Sequence, residues 1–283
     1  MALANTIAVV TGASRGAGRA IALELGTAGA TVYVTGRSVR GGLTTDHVPG
    51  NVDETADEVS VRGGRGIAVR CDHTSDDEVA ALFERIRREH GRIDLLVNNV
   101  WGGYEHPQCR PLTIAPFWEQ SPHQWDRMFT AGVRAHLNAS RLAAPLMVPQ
   151  KQGLIVSTTA NLRALPYMRN LYYDLAKNAV SHLVWAMGEE LREHGIAAVA
   201  VAPGFMRTER VVEAFTRAGA VDALNGPGGP RETPAYLGRA IVALATDPRV
   251  IDKSGQLLEV GTLAREYGFT DVDGSQPAPF RLH

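Results

Sequence analysis

Residues 11–18 read Thr11-Gly12-Ala13-Ser14-Arg15-Gly16-Ala17-Gly18. Just upstream, Ile7–Val10 is a short apolar run rich in β-branched residues. Just downstream, Arg19–Ala28 has the apolar spacing of a helix. A glycine loop between a first strand and a first helix has a specific use. Gly12 permits a tight turn, Gly16 lets the backbone approach a pyrophosphate, and Gly18 allows close helix–strand packing. The helix N-terminus supplies free N–H groups to an anion, with Ser14 and Arg15 beside it in the loop.

Working outward, six more strand-like runs follow: Thr31–Thr35, Gly66–Arg70, Asp94–Val97, Leu154–Ser157, Ile196–Val201 and Gln256–Val260. Segments of helical periodicity separate them. Ser75 with Glu78 fits a capping box. Ser121-Pro122 and Thr233-Pro234 each fit an N-cap followed by proline in the first turn. Strand–helix alternation predicts an α/β fold: a doubly wound parallel seven-stranded sheet with helices on both faces, as one domain over 1–283. Its ligand crevice lies at the carboxyl ends of the strands. Two glycine-rich stretches, Arg40–Asn51 and Ala220–Pro230, break the rhythm and read as surface loops. The second also reads as part of a substrate lid spanning about 205–235, because it follows the sixth strand.

Composition narrows the function. Apolar residues make up 45% of the 283, enough for a sizeable core. A net charge of −1 gives no electrostatic case for nucleic acid or an acidic membrane. No apolar run approaches the ~18 residues of a membrane span. Met1–Thr6 shows no secretory pattern, so a soluble cytoplasmic protein is expected. Cys71 and Cys109 read as reduced structural thiols. The nine histidines show no metal-ligand spacing, and no metal is expected.

The TGxxxGxG spacing resembles the short-chain dehydrogenase/reductase family, in its single-domain branch. Further landmarks fall in order: Cys71-Asp72 after the third strand, Asn98-Asn99-Val100 ending the fourth, Tyr173-Asp-Leu-Ala-Lys177 as YxxxK, and Pro203-Gly204-Phe-Met-Arg-Thr208 as PGxxxT. The resemblance implies a Rossmann fold and a nicotinamide cofactor. It implies that Gly12, Ser14, Arg15, Gly16, Gly18, Arg37, Asp72, Asn99, Tyr173, Lys177, Pro203, Gly204, Met206 and Thr208 contact that cofactor. It also implies homo-oligomers, dimers or tetramers, built on the helices over His123–Met147 and Tyr172–His194.

The second strand ends Thr35-Gly36-Arg37, without the acid that binds a ribose 2′-hydroxyl. Arg37, helped by Arg15, suits a 2′-phosphate, so NADP(H) is the expected cofactor. The chain has seven tyrosines and three lysines. Chance would yield roughly 0.07 Tyr–Lys pairs four apart; Tyr173 and Lys177 form the one present. Hydride transfer to a carbonyl creates an alkoxide that must be protonated. A free tyrosine near pKa ~10 needs a neighbouring ammonium to lower that value.

Two family positions are altered. Counting from Gly153 and back from Tyr173, the catalytic serine place falls on Ala160, just after Ser157-Thr158-Thr159. Either a bulge presents Thr159 to polarise the substrate carbonyl, or Thr158 and Thr159 are ordinary strand residues. The relay asparagine place falls on Gly132, which predicts a local irregularity in its helix. Trp101 and Tyr104 leave the fourth strand and are candidates to line the pocket; Phe205, Met206, Val211, Val212 and Phe215 give the lid an apolar surface. Asn98–Tyr104, Gly132 and Leu263–Phe269 most resemble the subgroup holding dehydrogenase/reductase family member 1, which implies carbonyl or steroid-type substrates loosely. Two functions stand: an NADP(H)-dependent oxidoreductase interconverting a carbonyl and a secondary alcohol, or an NADP(H)-binding protein with little catalysis.

Overall fold

The computed structural model describes residues 1–45, 48–103, 116–161, 167, 170–224 and 231–281. The apolar runs become β1 (Ile7–Val10), β2 (Thr31–Gly36), β3 (Arg65–Arg70), β4 (Leu95–Asn98), β5 (Gly153–Thr158), β6 (Ile196–Ala202) and β7 (Leu257–Glu259). They form one sheet in the order β3-β2-β1-β4-β5-β6-β7, every neighbouring pair parallel. The order reverses between β1 and β4, where a crevice opens at the carboxyl ends. The helices are α1 (Gly16–Thr27), α2 (Val52–Val61), α3 (Asp76–His90), α4 (Pro122–Phe129), α5 (Ala135–Met147), α6 (Leu171–Leu191), α7 (Glu209–Arg217), α8 (Pro234–Thr246) and α9 (Val260–Tyr267).

Successive strand residues point to opposite faces, so each strand feeds two cores. Ala8 and Val10 pack with Ile21 and Leu25 of α1 and with Leu237 and Ile241 of α8. Ile7 and Val9 pack with Phe83 and Ile86 of α3 and Val184 of α6. Both faces of the sheet are therefore covered, which is the predicted doubly wound architecture. Among the described residues no helix is long and apolar enough to cross a membrane.

Several local expectations change. The Ser75 hydroxyl caps α3 by accepting from the Glu78 N–H at 3.4 Å. The reciprocal half of the capping box is not made: the Glu78 carboxylate accepts instead from Asp72 N–H and Arg70, both at 2.8 Å. Thr233 stands at the N-cap of α8, but its hydroxyl donates to Asp271 at 2.5 Å. The helix expected over 123–147 is divided by a π-helical segment, Thr130–Arg134. Gly132 lies inside it, so the expected irregularity is there. The stretch 40–51, expected on the surface, in part folds back over the glycine loop. Val48 and Asn51 are buried, and Asn51 caps α2 through its side-chain oxygen, accepting from Glu54 N–H at 2.8 Å. Residues 225–230 of the second glycine-rich stretch lie outside the described residues, as do Tyr104 and Cys109.

Candidate active site

The glycine loop turns where β1 ends. Gly12 and Gly16 have φ of +66° and +56°, in the left-handed region that a side chain disfavours. Gly18 is needed for room: a Cβ there would stand 2.2 Å from the Gly12 carbonyl oxygen and 2.5 Å from Asn99 Nδ2. The Asn99 side chain donates to the Thr11 and Gly12 carbonyls at 3.1 and 3.2 Å, tying β4 to the loop. A Cβ added to Gly16 would meet nothing nearer than Glu209 Oε2 at 3.7 Å. The bare backbone there leaves ordinary van der Waals distance to Glu209 and Thr208 at the α1 N-terminus, whose N–H groups suit a phosphate.

At the carboxyl end of β2, the Arg15 guanidinium donates to the Thr45 carbonyl at 2.8 Å and to Ser38 Oγ at 2.9 Å. Arg37 is half-buried at the same strand end. Burial opposes ionisation of Asp72, but hydrogen bonds from the Thr74 N–H and hydroxyl and the charge of Arg37 outweigh it and hold the carboxyl below its usual range. Two arginines, Arg15 and Arg37, at this strand end suit an anion.

Tyr173 and Lys177 lie in the first turns of α6, whose N-cap Asn170 accepts from Tyr173 N–H at 3.2 Å. Residues four apart share one helix face. Burial pushes Tyr173 up to about 12, reinforced by Asp174, and pushes Lys177 down to about 8. The sequence-based expectation that the ammonium lowers the tyrosine is thus reversed here: desolvation wins. Lys177 Nζ sits 4.1 Å from the Trp101 ring centroid and 5.8 Å from that of Tyr173. Trp101 meets Tyr173 edge to face at 5.6 Å.

No bulge presents Thr159. The β5–β6 register is regular through Thr158 opposite Val201, and Thr159 N–H continues the ladder to the Val201 carbonyl at 2.9 Å. Thr159 Oγ1 donates to the Lys177 carbonyl at 2.9 Å. Its hydroxyl fastens β5 to α6, which replaces its expected role on the substrate carbonyl.

A strand–glycine loop–helix unit, a Tyr–Lys pair on one helix face and a parallel seven-stranded sheet now stand together. The family model described as short chain dehydrogenase matches residues 6–218. The chain belongs to the short-chain dehydrogenases. It is 40% identical over 277 residues to dehydrogenase/reductase SDR family member 1 of Homo sapiens, covering 95% of this chain and 83% of that protein. It is 31% identical over 209 residues to 7alpha-hydroxysteroid dehydrogenase of Escherichia coli strain K12, covering 74% of each. The solved structure of a 7 alpha-hydroxysteroid dehydrogenase complexed with NADH and 7-oxo glycochenodeoxycholic acid superposes with a TM-score of 0.74 at 28% identity, over 97% of this chain and 96% of that one.

As a short-chain dehydrogenase the chain is an oxidoreductase by class, and its own departures are now located. Ala160 follows the end of β5. Asn161 beyond it donates to Glu259 at 3.0 Å, and Arg281 pairs with that carboxylate at 2.6 Å. Sequence reasoning missed this cluster, because residues 161, 259 and 281 carry no shared local signal.

It also missed Glu232, which is buried beside the PGxxxT segment. The Gly204 N–H donates to Glu232 Oε2 at 2.8 Å, and Met206 bridges to Glu232 in parallel. Thr208 caps α7, accepting from Val211 N–H at 3.3 Å. Burial pushes Glu232 up to about 7, against the Gly204 hydrogen bond and with Asp271 and Glu259 adding to the rise. Its folded pKa lies above its unfolded value, so the folded state binds the extra proton. Stability therefore falls as pH rises from about 4.5 through about 7. Glu232→Gln keeps the acceptor oxygen and removes the charge. It is expected to raise stability by about 2 to 3 kcal/mol at pH 8 and by little at pH 5, read as Tm by calorimetry at both pH values. An equal change at both would show that the charge is not the cause.

Proposed function

We propose that this short-chain dehydrogenase interconverts a carbonyl and a secondary alcohol with NADP(H), Tyr173 giving and taking the proton. The observation that carries the reading is the buried Tyr173–Lys177 pair, with Tyr173 held protonated through neutral pH. A protonated phenol is the form that donates to a developing alkoxide. Lys177 places a positive charge beside it, and Thr159 holds the lysine's backbone. The cofactor, when bound, supplies or accepts the hydride.

Gly12, Ser14, Gly16 and Gly18 would hold its pyrophosphate against the α1 N-terminus. Asp72 would border the adenine, and Asn99, which ties β4 to the loop, would contact the cofactor beside it. Pro203, Gly204, Met206 and Thr208 would line the nicotinamide end, with Lys177 on the ribose. Arg37 and Arg15 would take the 2′-phosphate. One charge-assisted hydrogen bond contributes about 1.5 to 3 kcal/mol, so NADPH is expected to bind at least about ten-fold more tightly than NADH. Fluorescence titration of both checks this; equal Kd values would refute the NADP(H) assignment.

The substrate is a small-molecule carbonyl or alcohol with an apolar surface. No residue of α7 is buried, and Phe205 packs on Phe215 and Phe280 at 6.2 and 6.3 Å between ring centroids. That half-exposed apolar surface supports a lid around 205–235. Leu137 on α5 and Leu175 and Trp185 on α6 are exposed, which supports a homo-oligomer on these helices.

One finding favours a second reading, an NADP(H)-binding protein with little catalysis: Ala160 stands in the serine place and Thr159 is committed elsewhere. NADPH consumption with a panel of ketones, aldehydes and quinones separates the two. Turnover with any of them supports the enzyme; tight NADPH binding with none supports the binding protein.

A further inference from the structure

Gly132 and Trp101 fit one another. A Cβ built on Gly132 would stand 2.4 Å from Trp101 Cζ3 and 2.6 Å from Cε3. The six-membered edge of the indole therefore lies directly on bare backbone, inside the π segment Thr130–Arg134. No side chain larger than hydrogen coexists with it there. The same indole turns its face to Lys177, whose Nζ lies 4.1 Å from the ring centroid. It also receives Tyr173 edge to face, 5.6 Å between centroids and 82° between planes.

A buried ammonium without compensation favours the neutral amine. An aromatic face offsets part of that cost, because the ring quadrupole presents negative charge to the cation. An aliphatic side chain of similar bulk would fill the space and leave the ammonium unsupported. Lys177 also faces Tyr173 on its own helix and His136 of α5, which is buried, neutral and electrostatically coupled to it. His136 Nε2 lies 3.2 Å from the Val100 carbonyl, next to Trp101 in the chain.

We propose that Trp101 is a positioning residue for Lys177: its indole, admitted by the missing side chain at Gly132, holds the ammonium in the site and sustains its charge. This rests on the reading of Tyr173 and Lys177 as the proton pair, and it adds a specificity in residue 132. Glycine there is a requirement of the ring opposite, and an asparagine would displace it. Trp101 and Gly132 then act as one unit.

The chain has three lysines, so the titration of Lys177 can be followed by NMR on isotope-labelled lysine in the full-length protein. Three variants are compared with the parent: Trp101→Phe, which keeps an aromatic face, Trp101→Leu, which does not, and Gly132→Ala, which displaces the ring. Trp101→Leu and Gly132→Ala are expected to lower the Lys177 pKa by at least about half a unit, roughly a three-fold change in its protonation constant. Trp101→Phe is expected to recover most of that shift, which a space-filling role would not require. Combining Trp101→Leu with Gly132→Ala is expected to shift the lysine no further than either single change, as two members of one contact behave. An unchanged Lys177 titration in Trp101→Leu overturns the proposal; if that variant fails to fold, Gly132→Ala decides by the same readout. Where the parent is active, the alkaline fall of kcat should move to lower pH in Trp101→Leu by the same half unit or more, with Trp101→Phe closer to the parent. A parent that turns over no carbonyl defeats the proposed function alone, since the lysine titration needs no turnover.

Discussion

Tyr173→Phe is expected to reduce kcat at least about 10²-fold, the usual scale for a lost general acid, and to leave NADPH affinity within about two-fold. The substitution removes one oxygen and keeps the ring, so the edge-to-face contact with Trp101 and the packing of α6 remain. A hundred-fold loss corresponds to about 2.7 kcal/mol of barrier, which a single misplaced proton donor accounts for. The pH dependence in the reducing direction follows from the two shifts. Tyr173, pushed up to about 12, stays protonated across the working range. Lys177, pushed down to about 8, loses its charge first, so activity should fall as pH rises past that value. Stopped-flow reduction kinetics from pH 6 to 10, with parallel NADPH titrations, test both statements. Tyr173→Phe retaining full rate would remove the tyrosine from the chemistry.

Gly18→Ala is expected to destabilise the protein by about 3 kcal/mol or more, at the upper end for an overpacked site. The added methyl would meet the Gly12 carbonyl oxygen at 2.2 Å and Asn99 Nδ2 at 2.5 Å. The first is backbone, and the second ends a side chain that is itself held in place. Asn99 is tied to the Thr11 and Gly12 carbonyls, so relief requires the loop to move away from α1 and β4. With about 2 to 4 °C per kcal/mol at this size, Tm should fall by about 6 to 12 °C, and NADPH binding should be lost with the loop's shape. Gly91→Ala is the contrast. It has a positive φ of +68°, which Gly18 inside α1 lacks, and nothing within 4 Å of the added Cβ, so it carries a backbone cost alone, about 1 to 2 kcal/mol. A loss in Gly18→Ala no larger than in Gly91→Ala would show that the contact is relieved at little cost.

What could be read from the sequence was local. The strands were placed within a residue or two because β-branched apolar runs have a period of their own. Tyr173 and Lys177 stood out because lysine is scarce and four residues make a helical turn. Gly132 announced an irregularity because glycine weakens a helix, and the π segment is there. The failures share one physical reason: a side chain with several possible partners is assigned by distance in space. Thr159 has a hydroxyl that suits a substrate carbonyl, yet the Lys177 carbonyl reaches it first. Glu78 suits the capping box, yet Arg70 and the Asp72 amide hold it. The stretch 40–51 has loop composition, yet Arg15 draws its Ser38 and Thr45 flank onto the glycine loop.

The doubly wound sheet, the glycine loop and the spacing of the Tyr–Lys pair are legible in the chain because each follows from periodicity and short-range geometry. How that pair is held depends on packing between distant segments. Burial, which depends on everything packed around α6, raises the tyrosine where a neighbouring charge alone would lower it. Contact between residues 101, 132 and 177, remote in the chain, sets an indole on a bare backbone and an ammonium on the indole. No local pattern encodes such a meeting, because it exists only once the sheet has brought the end of β4 against α6.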